Sequence, residues 1–302
     1  MSVAQIVQGA FADLAPLIWA GLISGCLYAV GALGLVMIFK SSRVVNFAHG
    51  NLAGLAAFLV YGLSTGAMLN LSWGSALALA LSITVIVAAL SYAVIAPLVF
   101  KSDLASTIAT LGIGLILQGA VQLMFGAEIV NLDLPLPRWR VTVGALRISA
   151  YDLTVLSVTA VIIVALYLVI ERTKLGIAFR AVSSNLFASR VCGLNLTAVH
   201  LFSWIVSAVL GIVAALLIVP TSFLSSTTVA SFMLQAFAAA VVGGFSSLPG
   251  AALGGIFIGV AINLFSFYVS SEFIDTFLLG VIMLTLNLFP NGLLERQGGA
   301  RV

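Results

Sequence analysis

The sequence predicts an all-α, polytopic transmembrane helix bundle of about eight to ten spans. Hydrophobic residues make up 62% of the 302 residues, whereas charged residues make up only 7%. A typical soluble domain contains about 25% charged residues, so this chain cannot cover a water-soluble surface. The composition therefore excludes a soluble enzyme, a nucleic-acid binder, a disordered chain and a disulfide scaffold.

Nine apolar runs are the candidate spans, because an α-helix of about 20 apolar residues crosses a bilayer. They are Ala15–Phe39, Val44–Gly66, Gly74–Phe100, Leu104–Gly126, Leu153–Ile170, Thr197–Val219, Val229–Gly244, Gly250–Ser270 and Thr276–Pro290. The stretch Val241–Gly255 is expected to form either a tight turn or a re-entrant segment. All of residues 1–302 are expected to form a single transmembrane domain, and Met1–Leu14 lacks the basic start of a secretory signal.

The basic residues predict the orientation of the chain, because Lys and Arg concentrate in cytoplasmic loops. An external N-terminus and a cytoplasmic C-terminus leave only Arg138, Arg140 and Arg147 outside. The same arrangement puts nine of the 12 basic residues inside, namely Lys40, Arg43, Lys101, Arg172, Lys174, Arg180, Arg190, Arg296 and Arg301.

Two polar segments interrupt the apolar runs. Residues 127–152 form the predicted external loop, with a small hairpin in its Val-Thr-Val-Gly-Ala-Leu-Arg-Ile stretch. Residues 171–196 form the predicted cytoplasmic loop, with two short amphipathic helices joined near Ser183–Asn185. Gly176 is expected to precede the first helix, and Gly193 to cap the end of the second.

Polar residues within the apolar runs are few, and the densest group enters the second run. Asn46, Phe47, His49, Asn51 and, in the fourth run, Gln118 are the predicted lining of a translocation pathway, since polar groups in a bilayer need partners or water. Two alternatives remain open, namely Asn46 as a helix cap and His49 as a structural residue. Glycines four residues apart, such as Gly21/Gly25 and Gly255/Gly259, are expected to pack helices closely.

Several kinds of chemistry have no candidate residues in this sequence. No carboxylate lies in the middle of an apolar run, which argues against proton coupling. No lysine follows a glycine, so there is no P-loop for ATP. Catalytic residues, a metal site and a cofactor bound by this chain are therefore not expected, and a pump would need energy from a partner.

Three ordered motifs resemble the permeases of branched-chain amino acid ABC importers, the LivH/LivM type. They are NFAHGNLAGLAAF, TKLGIAFRAVSSNLFASRVCGLN and AFAAAVVGGFSSLPGAALGGIFIG, and the first is closer to the LivH type. The third motif has Gly-Gly-Phe-Ser where the family pattern has Gly-x-Gly-Ser. In the second motif, Leu186 and Phe187 replace the family's acidic residue after Asn185.

The resemblance implies a bacterial inner-membrane subunit, which is not itself an enzyme, for branched-chain or related amino acids. Its implied partners are a second, LivM-like permease subunit or a second copy of this chain, two ABC ATPases that bind ATP and Mg²⁺, a solute-binding protein and the lipid bilayer. Implied ATPase-coupling residues are Gly176, Phe179, Arg180, Ala181, Asn185, Ala188 and Gly193. Residues expected to pack or gate helices are Gly243, Gly244, Gly250 and Gly254. The alternative function is a stand-alone secondary carrier or channel for a small polar solute such as an amide or urea.

Overall fold

The computed structural model describes residues 3–99, 101–126, 129–289 and 292. Within them, eleven α-helices and one two-stranded sheet follow one another along the chain. The helices are α1 (Val3–Ser42), α2 (His49–Ser64), α3 (Trp73–Val99), α4 (Asp103–Phe125), α5 (Ala150–Arg172), α6 (Lys174–Ser184), α7 (Leu186–Val191), α8 (Leu196–Ile218), α9 (Ser226–Gly243), α10 (Leu248–Tyr268) and α11 (Ile274–Leu288). The strands β1 (Arg140–Val143) and β2 (Leu146–Ser149) precede α5.

Each of the nine predicted spans corresponds to one helix, and the largest boundary differences are at α1 and α2. Helix α1 begins at Val3, before the predicted Ala15, and ends at Ser42. Helix α2 begins at His49, five residues after the predicted Val44. Arg43, directly after α1, adopts the left-handed conformation with φ of 60°, and the Asn46 side chain stabilises a turn before α2 by accepting a hydrogen bond from the backbone N–H of Ala48. Phe100 and Pro290, two predicted span ends, and Arg296 and Arg301 lie outside the described residues.

Six helices in the described residues are long and apolar enough to cross a membrane, namely α1, α3, α4, α5, α8 and α10. The three other helices that match predicted spans are shorter: α2, α9 and α11 have 16, 18 and 15 residues. These lengths lie near or below the lower end of the roughly 17–25 residues of a membrane-spanning helix, and the count of eight to ten spans stays a prediction.

The described chain consists of two compact units, each with its own internal packing. The first contains the described parts of Met1–Ala32, Leu136–Val161 and Leu234–Val302. The second contains the described parts of Leu33–Pro135 and Ile162–Met233.

Helix α2 is the central helix of the second unit. It packs against α3, α4 and α8, and 13 of its 16 residues are buried. Phe58, Leu59 and Ile212 belong to the hydrophobic cluster around it. Because α2 is largely surrounded by protein, it contains no charged residue, and its polar side chains His49 and Asn51 face neighbouring helices.

Paired glycines bring α1 and α10 into backbone contact in the first unit. A Cβ atom on Gly25 would lie 2.6 Å from the Cα of Ile256, and one on Gly255 would lie 2.5 Å from the Cα of Ala29. A Cβ on Gly259 would collide with the backbone of Gly25. The prediction that glycines four residues apart pack helices closely is confirmed here.

A tight turn joins α9 to α10, which decides between the two alternatives for Val241–Gly255. Gly244 has φ of 95°, which suits glycine, and the Ser247 hydroxyl accepts a hydrogen bond from the backbone N–H of Gly250 at 3.1 Å. Cβ atoms on Gly243 and Gly254 would collide with the backbone carbonyls of Gly250 and Ala239. A gating role for these glycines stays a prediction.

The predicted hairpin is present in the loop before α5. Strands β1 and β2 pair antiparallel, with Val141 opposite Ile148 and Val143 opposite Leu146. Gly144, at the turn, has φ of 61°. Of the predicted external loop 127–152, Ala127 and Glu128 lie outside the described residues.

Candidate translocation cleft and cytoplasmic helix pair

The segment before α2 is fixed to α4 by hydrogen bonds between its backbone and the Thr110 hydroxyl. The side-chain oxygen of the fully buried Asn46 accepts a hydrogen bond from the backbone N–H of Ala48 at 3.0 Å. Phe47 donates its backbone N–H to the Thr110 hydroxyl at 3.1 Å, and that hydroxyl reaches the carbonyl of Val45 at 3.2 Å. Asn46 therefore stabilises the local turn, while Ala48 occupies the N-cap position without a side-chain hydrogen bond.

His49 lies on a different side of α2, where two glycines make space for its ring. A Cβ on Gly34 of α1 would lie 2.5 Å from the ring carbon Cε1, and one on Gly211 of α8 would lie 3.2 Å from it. The ring nitrogen Nδ1 is 2.9 Å from the hydroxyl of Ser207. With 1% of its surface exposed, His49 is a structural link between α1, α2 and α8. This arrangement agrees with the structural alternative for His49.

Asn51 and Gln118, by contrast, line one cleft between α2, α4 and α9. Its volume is about 240 Å³, including its open mouth. The other lining residues are Gly54, Leu55, Phe58, Val121 and Val229. Of the five predicted pathway residues, the structure thus brings two together, whereas Asn46, Phe47 and His49 do not line this cleft.

The relative position of α2 and α4 explains why the two amides converge. A Cβ on Gly114 would lie 2.8 Å from the Asn51 side-chain nitrogen, so Asn51 abuts α4 at Gly114. Gln118 lies four residues further along α4, on the same face of that helix. Gln122, one more turn along, is exposed and does not line the cleft.

Helix α6 rests on the helix bundle through one narrow face. The Thr173 hydroxyl accepts a hydrogen bond from the backbone N–H of Gly176 at 3.1 Å and caps the helix. Gly176 therefore lies in the first turn rather than before the helix, and a Cβ there would collide with the carbonyls of Val169 and Ile170. Phe179 has no exposed surface, so it anchors α6 instead of offering a contact surface.

The opposite side of the α6–α7 pair is open. Ile177, Phe187 and Val191 are 58%, 77% and 73% exposed. Arg180, also exposed, forms an ion pair with Glu171. Ala188 and Asn185 are exposed as well, and Ala181 is half-buried.

Two turns define the ends of the short helix α7. The Asn185 side-chain oxygen caps α7 by accepting a hydrogen bond from the backbone N–H of Ala188 at 2.9 Å. Gly193 has φ of 78° and follows α7, as its predicted C-cap role requires. The predicted pair of short helices is confirmed, and Asn185 is the residue that joins them.

A second buried polar group was not predicted from the sequence. His200 is fully buried in α8, with its Nδ1 3.5 Å from the Tyr92 hydroxyl, and Trp204 packs against the same tyrosine. Thr110 and Ser207 were missed too. Single Ser, Thr and His residues within long apolar helices produce no periodic pattern, so the sequence does not indicate which helices they join.

Apolar helices of spanning length, a mostly apolar cleft with two amide side chains and an exposed short-helix pair are the features of a polytopic membrane protein. A family model described as the permease component of the branched-chain amino acid transport system matches residues 17–286. The chain belongs to this family of membrane transport permeases.

Curated relatives with transport names match almost the whole chain. The high-affinity branched-chain amino acid transport system permease protein LivH of Salmonella typhimurium is 27% identical over 91% of this chain and 94% of its own. The corresponding protein BraD of Pseudomonas aeruginosa is 28% identical over the same shares. A probable branched-chain amino acid transport permease protein LivH of Methanocaldococcus jannaschii is 29% identical over 87% of this chain and 86% of its own.

One solved structure is similar to this chain, namely PsaBC from Streptococcus pneumoniae in complex with Fab. The matched region covers 96% of this chain and 97% of the solved chain. Its sequence identity is 14% and its TM-score is 0.43.

Proposed function

We propose that this chain is the permease subunit of an ATP-driven importer and that it translocates branched-chain or related amino acids. A solute-binding protein outside the membrane delivers the solute. The pathway is completed by a LivM-like second permease or a second copy of this chain. Two ABC ATPases bind ATP and Mg²⁺, so the chain itself is not an enzyme. The proposal places it in a bacterial inner membrane with the N-terminus outside and the C-terminus in the cytoplasm.

The exposed apolar side of the α6–α7 pair is the observation that carries this proposal. Phe187 and Val191 each expose about three quarters of their surface. They belong to the segment between the apolar helices α5 and α8, which also contains Arg180 and Arg190. A short amphipathic helix of this kind fits a hydrophobic groove on a partner protein. The buried Gly176 and Phe179 hold α6 on the bundle, so motion of the partner is transmitted to the spans.

The source of energy supports the same proposal. The sequence lacks a P-loop lysine and has no carboxylate in the middle of an apolar run, so neither ATP hydrolysis nor a carboxylate proton relay has residues in this chain. An importer that contains this chain therefore needs a partner subunit that hydrolyses ATP, here called the motor subunit. The α6–α7 pair is the surface that we assign to the contact with this motor.

Introducing a charge into the exposed apolar surface tests this assignment. In the complete complex, Phe187→Asp should reduce ATP-driven leucine uptake about ten-fold or more, because a charge in an apolar contact costs at least about 1.4 kcal/mol. The variant should also lose co-purifying ATPase. The matched control is Val143→Asp on β1, where the side chain is 58% exposed, and it should keep the ATPase bound.

Two results would contradict the proposal. One is wild-type ATPase binding and uptake by the Phe187→Asp complex. The other is leucine uptake by the purified chain alone in liposomes, driven by an ion gradient without ATP, which would favour the stand-alone secondary carrier.

A further inference from the structure

The β1–β2 hairpin is joined without a linker to a helix of membrane-spanning length. Strand β2 ends at Ser149, and α5, one of the six candidate spans, begins at Ala150. The backbone N–H of Ala150 donates a hydrogen bond to the carbonyl of Trp139 at 3.1 Å, which ties both ends of the hairpin to the start of α5. Asp152, in the first turn of α5, accepts a hydrogen bond from the backbone N–H of Ser149 at 2.8 Å. Because α5 enters the bilayer at this end, the base of the hairpin lies at a membrane surface.

The pairing of the two strands separates polar from apolar side chains. Directly opposed residues of an antiparallel pair project to the same face, and successive residues of a strand alternate between the faces. The polar face of the hairpin consists of Arg140, Thr142, Arg147 and Ser149. The apolar face consists of Val141, Val143, Leu146 and Ile148. The hairpin is therefore amphipathic at the point where the chain meets the membrane.

No described residue covers the apolar face along β1. All four residues of β1 are exposed, and Val141 and Val143 expose 50% and 58% of their surface. Trp139, at the base of the hairpin, is 44% exposed. Grouped apolar side chains are costly to leave in water, and Trp is enriched where a membrane meets water. A lipid surface beside the hairpin provides the cover that these side chains lack.

The polar face carries two positive charges close together. Arg147 lies opposite Thr142, so it is a diagonal neighbour of Arg140, a relation that corresponds to a separation of about 7–8 Å. Both arginine side chains are exposed, and neither forms an ion pair with any residue that the structure describes. An anion bound to both would offset their repulsion, and a guanidinium group matches the geometry of phosphate. The phosphates of lipid headgroups are available at this depth.

We propose that the β1–β2 hairpin is an interfacial anchor that binds the surface of a membrane with anionic headgroups. Val141 and Val143 contact the lipid, and Arg140 and Arg147 bind headgroup phosphates. Four residues at about 3.3 Å per residue make the hairpin about 13 Å long, so only a hairpin that lies along the surface keeps Val143 in contact with lipid. This inference uses the membrane-spanning helix α5 and is independent of the proposed import function.

Fluorescence quenching in nanodiscs tests the position of the hairpin in the full-length chain. One fluorophore is attached to Val143→Cys and, as the matched control on the polar face, another to Thr142→Cys. Both variants carry Cys192→Ser, and the other native cysteine, Cys26, is buried. Nitroxide-labelled lipid should quench the label at 143, whereas aqueous iodide should quench the label at 142. The ratio of lipid to aqueous quenching should be at least about five-fold higher at 143, because a buried valine position favours the apolar phase.

Removal of the two charges tests the contact with headgroups. In the Val143→Cys chain, adding phosphatidylglycerol to phosphatidylcholine nanodiscs should raise lipid quenching relative to aqueous quenching. Arg140→Gln with Arg147→Gln should abolish this rise, since each arginine near an anionic surface favours the bound hairpin about five-fold. Arg140→Lys with Arg147→Lys keeps both charges and should retain most of the rise. Both positions are exposed on a surface hairpin, so these variants should assemble like the parent chain.

Three results would overturn the proposal. Equal iodide quenching of the labels at 142 and 143 would show that the hairpin stands in water. A response to phosphatidylglycerol that survives the double glutamine substitution would show that the two arginines do not bind the headgroups. If neither label meets lipid, and both become shielded from iodide only when a solute-binding protein is added, the hairpin is a protein-docking surface instead. Failure of ATP-driven uptake by the wild-type complex would overturn the proposed function but would leave these quenching results unaffected.

Discussion

Glycines serve two different purposes in the two units of this protein. Between α1 and α10, Gly25 and Gly259 allow backbone to touch backbone, whereas around α2, Gly34 and Gly211 leave space for the ring of His49. A side chain can rotate away from an added methyl group, but two helix backbones must separate. The same residue type is therefore expected to tolerate substitution very differently at the two places.

The largest effect is expected for Gly259→Leu. Its Cβ would collide with the backbone of Gly25, so α1 and α10 must move apart and lose their close packing. We expect a loss of about 3 kcal/mol or more, at the upper end of overpacking effects. The measurement is the thermal unfolding midpoint of the purified complex in detergent. Gly119→Leu, in open space on α4, is the control, and an equal midpoint for both variants would contradict the backbone-contact interpretation.

A smaller effect is expected for Gly34→Ala. The added methyl carbon would lie 2.5 Å from Cε1 of His49, which must shift and strain its hydrogen bond to Ser207. The expected cost is about 1–3 kcal/mol. In the His49→Ala background the same substitution should cost much less, which a double-mutant cycle measures. Purely additive effects would show that Gly34 acts independently of His49.

The smallest effect is expected for Gly211→Ala. Its methyl carbon would lie 3.2 Å from Cε1 of His49 and 3.3 Å from the Cβ of Ala53, so shifts of a few tenths of an ångström relieve the contact. We expect a cost of about 1 kcal/mol or less. The same unfolding measurement should rank Gly211→Ala above Gly34→Ala in stability, and the reverse order would contradict the geometry around His49.

The sequence predicted the helices well because apolar runs and their breaks are local signals. Nine runs gave nine helices, the hairpin formed around Gly144, and Gly193 ended α7. The start of α2 was misplaced by five residues because the apolar run begins at Val44, before the turn that Asn46 stabilises. Among the described residues, six of these helices are long and apolar enough to cross a membrane, whereas α2, α9 and α11 are shorter.

Side-chain roles depended on information that no local pattern contains. Asn51 and His49 are two residues apart on α2, yet one meets α4 and the other meets α1 and α8. The amphipathic pattern of α6 marked Phe179 as apolar, but only its packing on the bundle shows that it is buried while Ile177 is exposed. Such assignments require the neighbouring helices to be known.

Cysteine cross-linking of the exposed helix pair is the most direct test of the permease assignment. Phe187→Cys, with Cys192 replaced by serine and the new thiol labelled with a short photoactivatable linker, should form a cross-link to an ATPase subunit in the intact complex. Val143→Cys on β1, in the same background, should form none. A cross-link from position 143 with none from position 187, or labelling of position 187 by an impermeant reagent added outside intact cells, would contradict the assignment of the α6–α7 pair to a cytoplasmic motor.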